Sequence, residues 1–281
     1  MKWQGRQRST NVEDRRGKGS GKAIAGIGGG FGLVIVIIIS LLGGNPEELL
    51  NNLGATEQSS SIPYEETAQE KELAEFVSVV LADTETVWSD IFQENGLQYT
   101  NPTLVLYTDS VNSACGAAGA SVGPFYCPGD QKLYIDLSFY QELQDKFHAP
   151  GDFAMAYVIA HEVGHHVQTL LGTSEKVMPL RQKLSETEFN KYLVRFELQA
   201  DYFAGVWAKH AQGMDLLEEG DLDEALTAAS AVGDDTLQKQ AMGYVVPESF
   251  THGTSEQRKN WFYKGYKNGT IQGGDTFSSK Q

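Results

Sequence analysis

The sequence predicts an α+β fold that is mainly helical, contains a small sheet and is preceded by one transmembrane helix. Three observations support this prediction. Several segments carry apolar residues at helical spacing, residues 103–108 and 132–137 have the composition of short strands, and residues 23–42 lack any charged side chain. The chain has 281 residues, which is the length of one domain with attached segments.

Residues 23–42 are the apolar segment nearest the N-terminus. Twenty helical residues span about 30 Å, the thickness of the hydrocarbon core of a bilayer. A cleavable signal peptide is the competing interpretation, but the run is longer than a usual signal core, follows a long tail and lacks an A-x-A cleavage pattern. We therefore expect an uncleaved anchor. Its glycines at positions 26, 28, 30 and 32 have small-xxx-small spacing, which suits a homodimer through this segment, although the glycines could also be neutral.

The basic tail before this segment predicts its orientation. Residues 1–22 carry seven basic and two acidic side chains, a net charge of +5, while the whole chain carries −15, which leaves −20 for the remainder. The positive-inside rule places the tail in the cytoplasm and residues 43–281 outside. The strong negative charge of the predicted outer part argues against nucleic acid as a partner. It also argues against a catalytic face that lies on the membrane.

The outer part divides into a tether, a folded domain and a short tail. Residues 43–64 are rich in Gly, Asn, Ser and Glu and predict a flexible tether, and residues 273–281 are polar and predict a frayed tail. Residues 65–272 between them are the predicted domain. The domain opens with apolar residues near helical spacing over 65–93, which predict a first core helix.

The two cysteines, Cys115 and Cys127, bracket a loop of small residues between the two predicted strands. A disulfide that closes this loop would stabilise the fold by about 3 kcal/mol. An oxidising compartment favours the disulfide over two free thiols, and the spacing without a neighbouring histidine is a poor zinc signature. We therefore predict a disulfide between these cysteines.

The most informative motif is the sequence HEVGH at positions 161–165, which has the H-E-x-x-H pattern. Residues 153–171 contain no proline and are nearly all apolar up to the motif, as expected for a buried helix. On a helix, His161 and His165 lie one turn apart on the same face, so both imidazoles can bind one metal ion. Glu162 can hold and deprotonate a water molecule there, which is the chemistry of a zinc peptidase.

Two further residues of this motif region have structural interpretations. Gly164 costs the helix about 1 kcal/mol relative to alanine. The close approach of another backbone or of substrate would explain why a glycine is present at this position. His166 points elsewhere on the helix, so we interpret it as a packing residue or as a support for a ligand.

A second helix is predicted over residues 189–209, where apolar side chains form one stripe. Glu197 and Asp201 lie four residues apart at the edge of this stripe, on the side of the core. A catalytic zinc needs at least three protein ligands and an open position. One of these carboxylates can bind the metal while the other orients a ligand histidine through its second ring nitrogen.

The order of these segments resembles that of the neutral zinc metallopeptidases of bacteria. The resemblance rests on HEVGHH and the later ELQADYFAGVWA, and it extends to KWQGRQRSTNVEDRRG, CGAAGASVGPFYCPGDQKLYIDLSF and THGTSEQR. It implies that Glu197 is the third zinc ligand and that Asp201 orients a histidine. It also implies a zincin-like catalytic domain, in which residues 132–137 would be the edge strand that receives an extended substrate.

A more distant resemblance, to the CAAX-type and HtpX-type membrane peptidases, concerns the C-terminal part. Those families carry a His followed by an Arg late in the domain, with the His near the developing oxyanion, and His252 and Arg258 match this order. The chain departs from the pattern with Gly253, where those families usually have proline. The competing interpretation is that Thr254 and Gln257 form a capping box for a C-terminal helix and that His252 is incidental to it.

These observations predict a zinc-dependent peptidase anchored in the inner membrane of a bacterium, with a peptide or protein as substrate and one Zn²⁺ as cofactor. His161, His165 and Glu197 are the predicted metal ligands. The main alternative is a non-catalytic anchored binding module with a structural metal, for which no fourth Cys or His ligand is apparent. A metallohydrolase that acts on another amide is a third interpretation.

The predicted mechanism assigns two further roles. Glu162 would act as general base and pass the proton of the water to the leaving amine. A separate donor should face the developing oxyanion, and His252 is the first candidate and Tyr126 the second.

Overall fold

A computed structural model of the chain describes residues 1–17 and 64–278. These residues are mainly helical and include a small sheet, as predicted. Their helices are α1 (Ala68–Glu94), α2 (Phe139–Asp145), α3 (Asp152–Leu170), α4 (Thr173–Val177), α5 (Glu186–Gly213), α6 (Asp221–Ala231), α7 (Asp234–Met242) and α8 (Ser255–Asn268). Their strands are β1 (Val12–Asp14), β2 (Thr103–Tyr107), β3 (Ser110–Ser113), β4 (Gly116–Gly119), β5 (Phe125–Cys127) and β6 (Lys132–Asp136).

The main sheet has four strands in the order β1-β2-β6-β5, and β3 and β4 form a separate antiparallel hairpin. β1, β2 and β6 are parallel, whereas β5 is antiparallel to β6. Alternate residues of β2 point to opposite faces of the sheet. Leu104 and Leu106 pack with the helices, and Val105 and Tyr107 pack with the β3–β4 hairpin. Both faces are buried, which explains why this strand is almost entirely apolar.

The predicted edge strand is not at an edge. Residues 132–137 correspond to β6, which lies between β2 and β5. The reason is that the chain folds β5 back onto β6, so that Phe125 pairs with Tyr134 and Cys127 with Lys132. The edges of the sheet are therefore β1 and β5, and β5 is the one that lies beside α3.

The predicted separate basic tail is wrong for residues 1–17, which are part of the folded domain. Val12 pairs with Leu104 in the sheet, so β1 is one of its edge strands. Arg6 donates two hydrogen bonds, of 3.3 and 2.7 Å, to the carboxylate of Asp83. Asp83 is buried, and a buried carboxylate is costly unless a cation compensates it. The basic residues of the segment therefore have partners within the domain.

Residues 1–17 also meet the start of the second described range, where any side chain on Gly17 would collide with Tyr64. The predicted transmembrane helix, with its dimerisation glycines, and residues 43–63 of the predicted tether lie outside the described residues. None of the helices in the described ranges is long and apolar enough to span a bilayer.

The folded part of the chain extends beyond residue 272, the predicted C-terminal end of the domain. Residues 273–277, predicted as frayed, pack on α5. The amide of Gln199 donates to the carbonyl of Gly274 (2.7 Å), and the hydroxyl of Thr276 donates to the carbonyl of Arg195 (2.6 Å). The polar composition of this segment reflects hydrogen bonds to α5, not solvation.

The helices predicted around the active-site motif are present with small shifts at their ends. The helix predicted over 153–171 is α3, and Asp152 lies in its first turn after Gly151. The helix predicted over 189–209 is α5, which begins earlier because Ser185 and Glu188 form a capping box. α5 and α8 cross at Gly205 and Gly265, where a side chain on either would collide with the backbone of the other helix. The close packing of the two helices also allows Arg258, in the first turn of α8, to reach Asp201 on α5.

The predicted disulfide between Cys115 and Cys127 is present. Cys127 ends β5 and is fully buried against Val105 and Tyr107. The bond therefore ties the loop after β3 to the main sheet.

We predict that the double substitution Cys115→Ser and Cys127→Ser lowers the free energy of unfolding by about 3 kcal/mol, because the disulfide restricts the unfolded chain. Denaturant unfolding of both proteins measures this. Wild-type protein treated with a reductant should unfold like the double variant, and equal stability of oxidised wild type and variant would contradict the prediction.

Candidate metal centre

Two neighbouring helices bring together the predicted metal ligands. α3 carries His161 and His165 one turn apart, and α5 carries Glu197 opposite them. The Oε2 atom of Glu197 lies 3.1 Å from Nε2 of His161 and 3.3 Å from Nε2 of His165. The sequence-predicted ligands therefore converge on one point between the two helices.

The spacing of these atoms fits a zinc ion. Tetrahedral ligands at about 2.0–2.2 Å from a zinc lie about 3.3 Å from one another. The three ligand atoms of His161, His165 and Glu197 all lie within 4.8 Å of one another. Two imidazoles and one carboxylate are also the donor set of open, catalytic zinc sites.

Within the described ranges, one other cluster of potential metal ligands has its atoms this close, and its carboxylates already pair with a cationic group. It consists of Asp152, Asp221 and Glu224. The amino group of Met1 lies 2.6 Å from Asp152 and 3.4 Å from Asp221. This ammonium offsets part of the negative charge of the cluster.

Asp201 contacts His161 through Nδ1, the ring nitrogen that does not face Glu197. Its Oδ1 atom accepts a hydrogen bond from Nδ1 of His161 (2.8 Å) and another from the hydroxyl of Tyr157 (2.6 Å). Arg258 donates to both of its oxygens, at 2.8 and 3.0 Å. With Nδ1 of His161 engaged in this way, Nε2 faces Glu197.

The charges of this network are matched. Burial alone would raise the pKa of Asp201, but Arg258 and His161 outweigh burial and lower it, so the carboxylate stays ionised. Glu162 is also buried, and burial raises its pKa against the opposing effect of the two ligand histidines. A carboxylate whose pKa is raised in this way is a better proton acceptor than an exposed one.

Gln168 supports His165, and our sequence analysis missed it. Its Nε2 atom donates to the carbonyl of Phe196 (2.7 Å) and lies 3.1 Å from Oε1 of Gln199, so its own Oε1 faces Nδ1 of His165 at 2.8 Å. An amide oxygen can only accept, so Nδ1 of His165 carries the proton and Nε2 is free for a metal. The available signal was its position, three residues after His165 on the same helix.

His166 and Tyr126 lie away from the three ligand atoms. Nε2 of His166 donates to the carbonyl of Thr100 (2.6 Å), and its Nδ1 accepts from the hydroxyl of Tyr126 (3.1 Å). Burial lowers the pKa of His166 to about 4, so the ring is neutral. His166 is a packing residue, as one of our two interpretations had it. The hydroxyl of Tyr126, the second oxyanion candidate, is engaged in this contact and not with the ligands.

His252 lies in the loop before α8, and both interpretations of this segment describe part of the structure. The capping box of Thr254 and Gln257 is present at the start of α8. The ring of His252 nevertheless has specific partners, with its Nδ1 atom 3.3 Å from Asp234 and 2.9 Å from Oγ1 of Thr251. Burial lowers the pKa of His252, but the negative charges of Glu197 and Asp234 outweigh burial and raise it.

Comparisons with known proteins find a family and relatives that match most of the chain. A family model described as "Putative neutral zinc metallopeptidase" matches residues 1–277. The uncharacterized protein YpfJ of Escherichia coli K12 is 48% identical over 285 residues, which cover 99% of this chain and 99% of the relative. The uncharacterized protein Rv2575 of Mycobacterium tuberculosis H37Rv is 44% identical over 192 residues, which cover 64% of each chain. No solved structure shows a significant match.

Gly164 marks a close approach of the two ligand-bearing helices, as our sequence interpretation of a nearby backbone suggested. A Cβ atom there would lie 2.8 Å from the carbonyl oxygen and 3.1 Å from Cα of Ala200 on α5. Since these atoms belong to backbone, they can move away only if the helices separate. The distance between the histidines and Glu197 therefore depends on this glycine.

We predict that Gly164→Ala destabilises the protein by about 1–3 kcal/mol through overpacking, although alanine is the better helix former by about 1 kcal/mol. It should also weaken zinc binding, because the ligand-bearing helices move apart. Denaturant unfolding and zinc titration measure the two effects. Gly213→Ala is the matched control, since a Cβ at this position of α5 meets nothing within 4 Å. Equal stability and zinc affinity of the two variants would contradict the prediction.

Proposed function

The chain belongs to this zinc metallopeptidase family, and we propose from that premise that it hydrolyses peptide bonds with a zinc ion held by His161, His165 and Glu197. The observation that carries the proposal is the convergence of these three ligand atoms beside a buried glutamate, Glu162. A zinc ion bound there would lower the pKa of a water molecule to about 7 and polarise the scissile carbonyl.

In the proposed reaction Glu162 moves the proton. Its carboxylate takes a proton from the attacking water and then passes it to the nitrogen of the leaving amine. The burial that raises its pKa favours this role, because a base whose pKa is closer to neutrality can both accept and return a proton.

The supporting residues keep the two imidazoles in one orientation. Asp201 and Gln168 each hold the Nδ1 atom of one ligand histidine, which directs Nε2 to the metal position. Arg258 keeps Asp201 paired, so the carboxylate does not compete with Glu197 as a ligand. His252 is the proposed donor to the oxyanion, through the Nε2 atom that its contacts with Asp234 and Thr251 leave free.

Substrate binding is proposed at the edge of the sheet. β5 is the edge strand beside α3. Because β5 pairs with β6 alone in the described sheet, one row of its backbone groups has no neighbouring strand. An extended peptide that pairs with this edge would gain affinity from backbone hydrogen bonds, with little demand on its sequence.

An open coordination position favours a peptidase over the binding module with a structural metal. Among the described residues, the cluster that contains His161, His165 and Glu197 has no fourth Cys, His, Asp or Glu ligand. Structural zinc sites are closed by four protein ligands, whereas catalytic sites leave one position for water. Glu162, buried beside the cluster, also has a role only in the catalytic interpretation.

Membrane attachment through residues 23–42 is part of the proposal, with a topology that differs from the sequence prediction. Because residues 1–17 pack in the domain, both belong on the same side of the bacterial inner membrane. The disulfide between Cys115 and Cys127 favours the outer, oxidising side for both.

The mechanism predicts that substitutions of Glu197 and Glu162 affect zinc content and peptide hydrolysis differently. Glu197→Ala should reduce the zinc content below the one ion per chain that we expect in wild type, because a ligand is lost. Glu162→Gln should keep the zinc and lose peptide hydrolysis, since the amide cannot accept the proton. Elemental analysis and cleavage of an unfolded protein substrate measure these outcomes.

Glu186→Ala is the matched control for the ligand, because Glu186 is exposed on the same helix. It should keep both zinc and activity. Hydrolysis by Glu162→Gln at the wild-type rate would rule out the proposed base, and full zinc in Glu197→Ala would rule out the third ligand.

The proposed topology predicts equal labelling at two positions of the protein. Gln7→Cys and Lys259→Cys each place one thiol on an exposed position, in the N-terminal segment and in α8 respectively. The native cysteines are paired and do not react. In intact spheroplasts a membrane-impermeant maleimide should label both variants before lysis. Labelling of Lys259→Cys alone would restore the single crossing that the sequence predicted.

A further inference from the structure

Asp234 is a buried carboxylate close to the proposed centre that the mechanism above does not use. It is the first residue of α7 and only 1% exposed. Its Oδ2 atom accepts hydrogen bonds from three consecutive backbone amides, those of Thr251 (2.7 Å), His252 (2.6 Å) and Gly253 (2.9 Å). The backbone amide of Asp234 donates in return to the carbonyl of Gly253 (2.9 Å).

The loop around this carboxylate has the form of an anion-binding nest. Successive backbone N–H groups that point to one position create a partial positive charge there. The loop needs Gly253, whose φ of 93° lies in the left-handed region that other residues rarely adopt. The bonds from these amides compensate the burial of the carboxylate, as do charge-assisted bonds elsewhere in proteins.

The two oxygens of Asp234 have different partners. Oδ2 holds the backbone of the loop, while Oδ1 faces Nδ1 of His252 at 3.3 Å. A carboxylate can only accept, so the proton of this contact is on Nδ1. The side chain of Thr251 lies 2.9 Å from the same nitrogen. One carboxylate therefore controls both the position of the loop and the orientation of the ring.

We propose that Asp234 is the positioning residue of the reaction, which holds the ring of His252 so that its Nε2–H points to the oxyanion of the substrate. This inference rests on the proposed function. The carboxylate of Asp234 faces Nδ1 of the ring and favours the imidazolium, which donates from both nitrogens.

The neighbouring residue, Asp235, provides a matched control. It lies on the same turn of α7 and braces the same segment, because its Oδ1 accepts from the amide (2.7 Å) and the hydroxyl (2.9 Å) of Ser255. It has no contact with His252 among the described residues. Asp235→Asn therefore removes the same charge from the same turn without changing the partner of the ring.

The experiment compares Asp234→Asn, Asp235→Asn, His252→Ala and the double variant Asp234→Asn/His252→Ala, all as zinc-loaded full-length protein. Asp234→Asn should lower kcat by about tenfold or more, as expected for a weakened oxyanion donor, with KM and zinc content unchanged. The double variant should be no slower than His252→Ala alone, because the two residues act as a unit. Asp235→Asn should stay within twofold of wild type.

A second readout does not depend on catalysis. The ¹⁵N resonances of the His252 ring, assigned by their loss in His252→Ala, should shift in Asp234→Asn and not in Asp235→Asn. If wild type hydrolyses no peptide, the proposed function fails, while this readout still tests the contact. Unshifted ring resonances, or additive kcat losses in the double variant, would overturn the positioning role.

Thr251→Val covers the case in which Asp234→Asn does not fold. The substitution removes the contact of the hydroxyl with Nδ1 of His252. It keeps the backbone amide that donates a hydrogen bond to Asp234. It should shift the ring resonances and lower kcat at unchanged KM, to a smaller extent than Asp234→Asn in a folded protein. Wild-type kcat and resonances in this variant would overturn the proposal.

Discussion

Asp201 has no solvent exposure, and its charge is compensated by groups from two other helices. Tyr157 and His161 reach it from α3 and Arg258 from α8. A buried carboxylate that loses its partners costs several kcal/mol, so α3, α5 and α8 are held in one mutual arrangement. Glu197 lies one turn before Asp201 on α5 and is thereby placed against the ligand histidines. The convergence of the three ligand atoms follows from the compensation of this one charge.

The ligand set was predictable because it depends on helical periodicity. His161 and His165 share a face of any helix that contains them, and Glu197 and Asp201 share a face of another. A local signal for the start of α8 is also in the sequence, because Thr254 and Gln257 form the capping box of this helix. Which carboxylate is the ligand came from a family resemblance, and the distances to the imidazoles agree with it.

Long-range contacts were not predictable, because no local pattern encodes them. The run of basic residues that predicted a separate tail instead pairs with carboxylates such as Asp83. Asp234 looks like an ordinary first-turn acid of a helix, and only the fold brings it to the loop around His252. The edge position predicted for β6 came from the resemblance to zincin-like domains, and the sequence of a short strand does not indicate which strands flank it.

β1 has a consequence for how the protein folds. Val12 pairs in parallel with Leu104, so the strand cannot dock until the chain far beyond it has been synthesised. Pairings between residues so distant in sequence form slowly, because a long loop must close first. A segment that is synthesised before β2 is therefore among the last to reach its place. Until it arrives, β2 presents an open edge, where correct folding competes with pairing to another chain.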